Sequence, residues 1–336
     1  VDGTTMHNGL VSITWDDSGA IVAARDLVRD RDLLLADRHT AIEIAPDLPN
    51  EYDAWDLEHW ARRASVEIDD VQSVEVVDAG PLLGRVRVTR VHGATTIVHD
   101  YVVRAGSRRI DVEFDVDWQG NEQIMSFAVP VAIHSATATC GIQFGTVERP
   151  RHANTSWDAA KFEVCAHRWV DVSERTFGVA LLDDGRYGHA LQGDTLRVSL
   201  FRAANWPAPG ADRGRHRTTV SLFPHDGDLA AVAREAEALN TPLRIVTGSA
   251  PTVPEPLVRV GDPTVEVSAL KLADDGSGDL VVRVFERVGD RSVAPVAVAG
   301  TVRAERTNLL EDPGTAVDLT TFALAPYELA TLRIER

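Results

Sequence analysis

Lysine is almost missing from this chain: Lys161 and Lys271 are the only two in 336 residues. Nearly all positive charge is therefore arginine, a bias that a GC-rich genome explains as well as any function does. The net charge of −17 opposes binding to nucleic acid or to an anionic membrane surface. Cysteine is equally scarce. Cys140 and Cys165 cannot build a disulfide framework, and neither sits in a metal-type spacing, so a reducing, cytoplasmic compartment is expected. No run of about 18 apolar residues occurs, so no helical membrane span is expected. The opening VDGTTMHNGLVSITW lacks a charged-then-apolar leader pattern. It begins almost directly on strand-like sequence, as an excised fragment would.

What is present is β-sheet. In RIDVEFDVDW, Ile110, Val112, Phe114, Val116 and Trp118 alternate with Asp111, Glu113, Asp115 and Asp117. One dry and one wet face is the pattern of an antiparallel strand, and the acids read as a solvated face. Val11, Ile13 and Trp15, then Leu196, Val198 and Leu200, then Leu280, Val282 and Val284 repeat the period, with turns at DDSG 16–19, DDG 183–185 and DDGSG 274–278. One segment differs. Leu229, Val232, Ala233, Ala236 and Leu239 follow helical spacing, with Asp228 as N-cap and Asn240 and Pro242 as the stop. The Pro-, Ser- and Thr-rich stretch 247–256 reads as a linker. The expected architecture is all-β: a large antiparallel sandwich with one helix over 1–246, then a small β-sandwich over 257–336.

Self-contained catalytic signatures are absent. There is no HExxH, CxxC pair, P-loop, GxSxG or dinucleotide fingerprint. The eleven histidines are scattered and read as exposed or hydrogen-bonded. His99 and Asp100 are strand neighbours that point to opposite faces, so they make no ligand pair. Cys165, in alternation with Phe162 and Val164, reads as a small packed hydrophobe. The Asn154-Thr155-Ser156 sequon has no other sign of secretion beside it.

Two stretches carry more chemistry than strands need. NEYDAWDLEHW at 50–60 interleaves Tyr52, Trp55 and Trp60 with Glu51, Asp53, Asp56 and Glu58. The run from Glu148 to Glu174 holds Arg149, His152, Asn154, Trp157 and Asp158. Aromatic faces beside carboxylates suit a sugar, whose ring stacks while its hydroxyls hydrogen-bond. A loop anchored under the sheet by its aromatics fits equally. Residues 154–158 are dense in side chains that bond locally to backbone, so a loop rather than a strand is expected there.

In order, these stretches resemble the C-terminal region of the family 38 glycoside hydrolases, the α-mannosidases, and most closely the bacterial and cytosolic branch. The likeness rests on Tyr52-Asp53-Ala54-Trp55-Asp56, Glu148-Arg149-Pro150 through Asn154-Thr155-Ser156-Trp157-Asp158, Ala166-His167-Arg168-Trp169-Val170-Asp171, and Gly178 to Asp183. Arg186-Tyr187-Gly188, Pro207 to His216 with Asp212, Pro224-His225 and the tail ALAPYELATLRIE extend it along nearly the whole chain. Tyr52 stands where the family usually has tryptophan, which keeps a ring. The resemblance implies a large supersandwich like that of galactose mutarotase, followed by a small β-sandwich. It also implies what this chain does not carry: the family's nucleophilic aspartate and its zinc site of two histidines and two aspartates lie in N-terminal domains, and no HxD pair occurs here.

The implied role is a non-catalytic C-terminal portion of a zinc-dependent retaining α-mannosidase. It needs no cofactor of its own, packs on the N-terminal catalytic domain of the same protein, and helps shape the pocket for an α-mannoside. The alternative is a free-standing carbohydrate-binding β-sandwich. Either is compatible with a homo-oligomer. Residues expected to face substrate or the catalytic domain are Tyr52, Asp53, Trp55, Asp56, Arg149, His152, Asn154, Trp157, Asp158, Asp212 and His216.

Overall fold

The computed structural model describes residues 1–245, 247–248 and 255–336, so 249–254 of the expected linker lie outside the described residues. The fold is all-β and antiparallel, with two compact units. Val1–Gly141 with Glu148–Thr241 forms the first, and Ile142–Val147 with Pro242–Arg336 the second.

The first unit is a supersandwich built on a nine-stranded and a six-stranded sheet. The central strand of the larger sheet, Gly214–His225, pairs with Gly178–Asp183 on one side and with Ile110–Trp118 on the other. The alternation seen in sequence explains the interior. Ile110, Val112, Phe114, Val116 and Trp118 are all buried, and their rings meet the six-stranded sheet: Phe114 lies 5.7 Å edge-on from Phe127, and Trp118 stacks 6.0 Å from Phe201. Each fully buried side chain of this kind contributes roughly 1.5–3 kcal/mol. A four-stranded sheet at the N-terminus joins this core through its turn at Gly19, whose carbonyl accepts the Tyr101 hydroxyl at 2.7 Å. Gly19 has φ of 69°, and a Cβ there would meet Val88 at 2.7 Å, so a side chain is excluded both by conformation and by space.

The other face of that strand is not the solvated surface expected of it. Asp111 is buried and accepts from Arg109 (2.7 Å), Arg104 and Ser221 (2.6 Å). Glu113 is held by Arg85 at 2.8 Å and Arg104 at 2.7 Å, and Asp115 by Arg215 at 2.6 Å and Arg217 at 3.0 Å. Apart from Arg109, which directly precedes the strand, these arginines come from other strands of the sheet, so the acids form a lattice across it.

The hydrogen bonds from Arg215 above all, with Arg217 beside it, bring the Asp115 carboxyl down to about 2. An unfolded aspartate titrates near ~3.9. A folded pKa below the unfolded one stabilises the fold above about pH 4, and the contribution is lost as pH falls through about 2. Asp115→Asn should therefore flatten the fall in urea midpoint between about pH 5 and pH 2; an unaltered slope would show that the lattice does not couple to folding.

His99 also differs from expectation. It is fully buried between Tyr101 (ring centroids 5.0 Å apart) and Phe114 (5.7 Å), and neither ring nitrogen has a hydrogen-bond partner among the described residues. Burial, with Arg90 nearby, pushes its pKa down to about 3, so the ring is neutral. Cys165 is exposed, whereas Cys140 is the packed thiol; Cys165 lies in a two-residue strand too short to bury an alternating set.

The helix Leu229–Asn240 forms as its spacing requires. Asp228 accepts from Ala230 N at 2.8 Å as N-cap, and Val232 and Ala236 pack on Trp169, Ala180, Leu182 and Phe223 of the large sheet. A second helical piece, one turn over Ser156–Ala159, was not expected.

The second unit is a small β-sandwich. Its five-stranded sheet runs in the order Val265–Leu272, Leu280–Glu286, Leu329–Glu335, Arg303–Thr307, Thr315–Ala316, around a core of Val282, Val284, Phe322, Leu332 and Ile334.

Candidate functional site

The 50–60 loop is built around a residue that its own sequence does not contain. Arg202, at the end of Thr195–Arg202, binds the fully buried Asp47 through two parallel hydrogen bonds, 2.6 Å from Nε and 2.8 Å from Nη2. Nη2 also reaches the backbone carbonyls of Asp53 (3.1 Å) and Asp56 (2.6 Å), and Nη1 reaches that of Ala54 (3.2 Å). Tyr52, at φ of 54°, closes a turn in which its carbonyl accepts Trp55 N (2.7 Å) and Asp56 N (2.9 Å). Asp53 uses one carboxylate oxygen to accept the backbone N–H groups of Asn205 (2.7 Å) and Trp206 (2.8 Å). The loop backbone is thus fixed from three sides.

Its rings are nevertheless outside. Tyr52 is 62% exposed, Trp55 62% and Trp206 60%, with Trp55 and Trp206 edge-to-face at 5.5 Å. For Tyr52 and Trp55 the reading as anchors under the sheet does not hold, whereas Trp60 is half-buried.

The 148–158 stretch is ordered by a different residue from those singled out. Arg151 is buried and donates to the carbonyls of Ser135 (3.1 Å) and Gly193 (2.6 Å). Arg149 donates to Cys165 O at 3.1 Å and does not touch the 154–158 turn. That turn orders itself. Thr155 caps it by accepting from Asp158 N at 3.1 Å and donates to the Asp158 carboxylate at 2.8 Å. His152 Nδ1 lies 3.5 Å from the same carboxylate, and Gln192 donates to Asp158 O at 2.8 Å. Asn154 is exposed, and Trp157 is 81% exposed.

Between these features lies an open cleft of about 680 Å³, lined by 55–58, Phe162 and Glu163, 185–188, and the strand residues Ile124 and 199–202. Glu163 sits on its floor, taking Arg62 at 2.5 Å and the Ser199 hydroxyl. A Cβ on Gly188 would come within 2.6 Å of Glu163 Oε1, so only glycine lets that carboxylate into place. A smaller cavity of about 350 Å³ shares Arg186, Leu200, Phe201 and Arg202 with the cleft and is bounded by Asp212 and His216, whose ring nitrogen bonds the Asp212 carbonyl at 2.7 Å. The structure thus gathers Trp55, Asp56, Asp212 and His216 around Arg186 and Arg202. Arg149, His152, Asn154, Trp157 and Asp158 line neither cavity. Arg62, Glu163, Arg202 and Trp206 carry no local signal of a site in the sequence, and Phe162 and Arg186 stand out there only in a strand alternation and in the family likeness.

No group of three or more His, Cys, Asp or Glu side chains is placed to hold a metal ion among the described residues. The nearest approach to ligand chemistry, His225 with Asp171 at 2.7 Å, is a buried pair completed by the Ser173 hydroxyl. A family zinc site therefore does not fit on these residues.

Comparison with known proteins assigns the fold. Residues 6–210 match the glycosyl hydrolases family 38 C-terminal domain, and 264–332 match the family 38 C-terminal beta sandwich domain. The chain belongs to glycoside hydrolase family 38. It is similar to alpha-mannosidase 2C1 of Homo sapiens, with 32% identity over 95% of this chain and 32% of that protein. It is similar also to alpha-mannosidase G of Dictyostelium discoideum, at 29% identity over 98% of this chain and 32% of that one. This family 38 chain therefore spans about one third of the length of the curated relatives it matches. The crystal structure of an alpha-mannosidase from Enterococcus faecalis superimposes with a TM-score of 0.80 at 17% identity, covering 99% of this chain and 42% of that one, which shows a shared fold. No helix of the family 38 chain is long and apolar enough to cross a membrane among the described residues.

Proposed function

We propose that this chain is the non-catalytic C-terminal portion of a zinc-dependent, retaining α-mannosidase. The nucleophile and the metal belong to a catalytic portion that precedes it, and the face carrying Tyr52, Trp55 and Trp157 abuts that portion and helps shape its sugar pocket. One observation carries this reading. Large rings stand 60–81% exposed on loops whose backbones are pinned by Arg202, Asp53 and Thr155. A fixed loop that keeps tryptophan in water is organised for contact outside itself. The absence of a metal-ligand cluster among the described residues is compatible with chemistry supplied elsewhere. In such an enzyme, paired carboxylates would perform the retaining displacement.

The test uses an aryl α-mannoside. This chain alone should release no aryl alcohol above the uncatalysed rate. In the longer protein, Trp55→Ala and Trp157→Ala should each lower kcat/KM at least tenfold while leaving Tm within a degree or two. Turnover by the isolated chain would sink the reading, because catalysis would then have to come from this chain's own residues.

A further inference from the structure

Unpaired strand edges are where an all-β chain meets other chains, because alternate N–H and C=O groups there point away from the sheet. The first unit guards its long edge with charge of one sign. Val71–Ala79, the outermost strand of the nine-stranded sheet, carries Glu75 and Asp78 and no base, so a copy of that edge offers it no opposite charge.

The second unit has a different edge. Val265–Leu272 ends the five-stranded sheet and pairs on one side only, with Leu280–Glu286, among the described residues. Its register sets Val267, Leu270 and Leu272 opposite Val284, Val282 and Leu280, apolar residues of the sandwich interior. Yet these three side chains remain 37%, 45% and 63% exposed. The strands Val258–Val260 and Val296–Val298, which share that interior, are only three residues long and leave them uncovered. The other face of the strand carries Glu266 and Lys271. Glu266 meets Arg287 at 3.0 Å, and Lys271 meets Asp274 at 2.6 Å and Glu311 at 2.5 Å.

The sequence of this edge, VEVSALKL, is complementary to itself read backwards. Laid antiparallel on a second copy about a dyad between Ser268 and Ala269, Val265 faces Leu272, Val267 faces Leu270, and Glu266 faces Lys271, each twice. The apolar pairs fall on the interior face of both sheets and the charged pairs on the outer face. That agreement depends on a bulge. The ladder slips by one residue between Val267 and Ala269, which puts Val267 and Leu270 on one face although they are three positions apart. Ser268, in the bulge, donates to Arg283 O at 3.3 Å. A bulge spoils an edge for a straight partner. A copy, however, carries the same bulge at the same place, and the dyad sets one against the other.

We propose that Val265–Leu272 is a homodimer edge, through which two copies of this chain join their five-stranded sheets antiparallel. Glu266 against the copy's Lys271 fixes the register, and Val267, Leu270 and Leu272 close over one another. Each row of charge then runs Arg287, Glu266, the copy's Lys271, the copy's Glu311, alternating in sign throughout. None of this depends on the role proposed for the first unit.

The test is sedimentation velocity of this 336-residue chain over a concentration series. The mass should rise with concentration from one chain of 36.5 kDa toward twice that. Leu272→Lys, at a side chain already exposed in the monomer, should weaken the dimer about tenfold or more with unchanged circular dichroism, because the dyad counts every change twice. Glu266→Lys and Lys271→Glu should each weaken it as much, since like charges then face each other. An equimolar mixture of those two variants should associate as well as the unaltered chain, because both crossed pairs are again opposite in sign. One mass at every concentration, a dimer indifferent to Leu272→Lys, or a mixture no tighter than its components would each overturn the edge. If Lys271→Glu misfolds beside Asp274 and Glu311, Leu272→Lys and Glu266→Lys still decide it. In a longer protein, amide-exchange protection of Val265–Leu272 that does not vary with concentration would give the edge to another portion of the same chain, and overturn the second copy as its occupant.

Discussion

Replacing Arg202 with methionine should cost about 3–5 kcal/mol of unfolding free energy, the usual penalty for stranding one partner of a buried ion pair. Asp47 is fully buried, and Arg202 meets it with two donors at 2.6 and 2.8 Å. Methionine fills much of the same space but leaves that carboxylate without its counter-charge. Three carbonyls of residues 53–56 lose their donor at the same time. The loop bearing Tyr52 and Trp55 should then become the first site of protease cleavage. The check is a double-mutant cycle by urea denaturation. Asp47→Asn combined with Arg202→Met should recover a substantial part of the loss, because the stranded charge is gone. If the double variant is as unstable as the sum of the singles, the buried pair is not the source of the effect.

Glu286→Ala should cost the second unit about 3 kcal/mol. Glu286 is fully buried and accepts three backbone N–H groups: Val288 at 2.9 Å, Gly289 at 2.8 Å and Tyr327 at 2.9 Å. These tie the turn after its own strand to the turn that enters Leu329–Glu335. Truncation orphans all three donors, two of which belong to residues at positive φ, Gly289 (89°) and Tyr327 (58°), where the backbone depends on such fixing. Glu286→Gln keeps the volume and one good acceptor, and should lose less. Amide hydrogen exchange decides it: protection along Leu280–Glu286 and Leu329–Glu335 should fall in the alanine variant and fall less in glutamine. Unchanged protection would mean that the turns are held by packing alone.

How legible this molecule is in its sequence depends on the range of each interaction. Strand identity is local, so Ile110 to Trp118 and the cap and apolar face of the 229–240 helix could be read from neighbours. Partners far apart in sequence could not. Asp47 meets Arg202, and Arg62 meets Glu163, only because the six-stranded sheet brings their segments together. No local pattern announces either. The same limit explains the acidic strand: its alternation shows a second face, but not that Arg85, Arg104, Arg215 and Arg217 will cover it. Within the candidate site, residue types at 52–58 marked a loop that lines the cleft, whereas those at 148–158 marked a turn that lines neither cavity. They did not distinguish Asp53, which ties two backbones together, from Asp56, which stands free. Both read as the same acid in the same kind of loop.

The position of Gly214–His225 in the middle of the nine-stranded sheet has a consequence for synthesis on the ribosome. Ile110–Trp118 and Gly178–Asp183 emerge well before the strand that must lie between them. Until then each shows a bare edge, the template on which nascent chains of neighbouring ribosomes stick to one another. Asp111 and Glu113 already have Arg85, Arg104 and Arg109, which emerge earlier, but two copies of the first edge would set Asp115 and Asp117 of each against the other, and like charges facing across strands repel. The awaited strand brings Arg215 and Arg217 instead. These two acids therefore disfavour pairing of that edge with its own copy until the arginines of Gly214–His225 arrive.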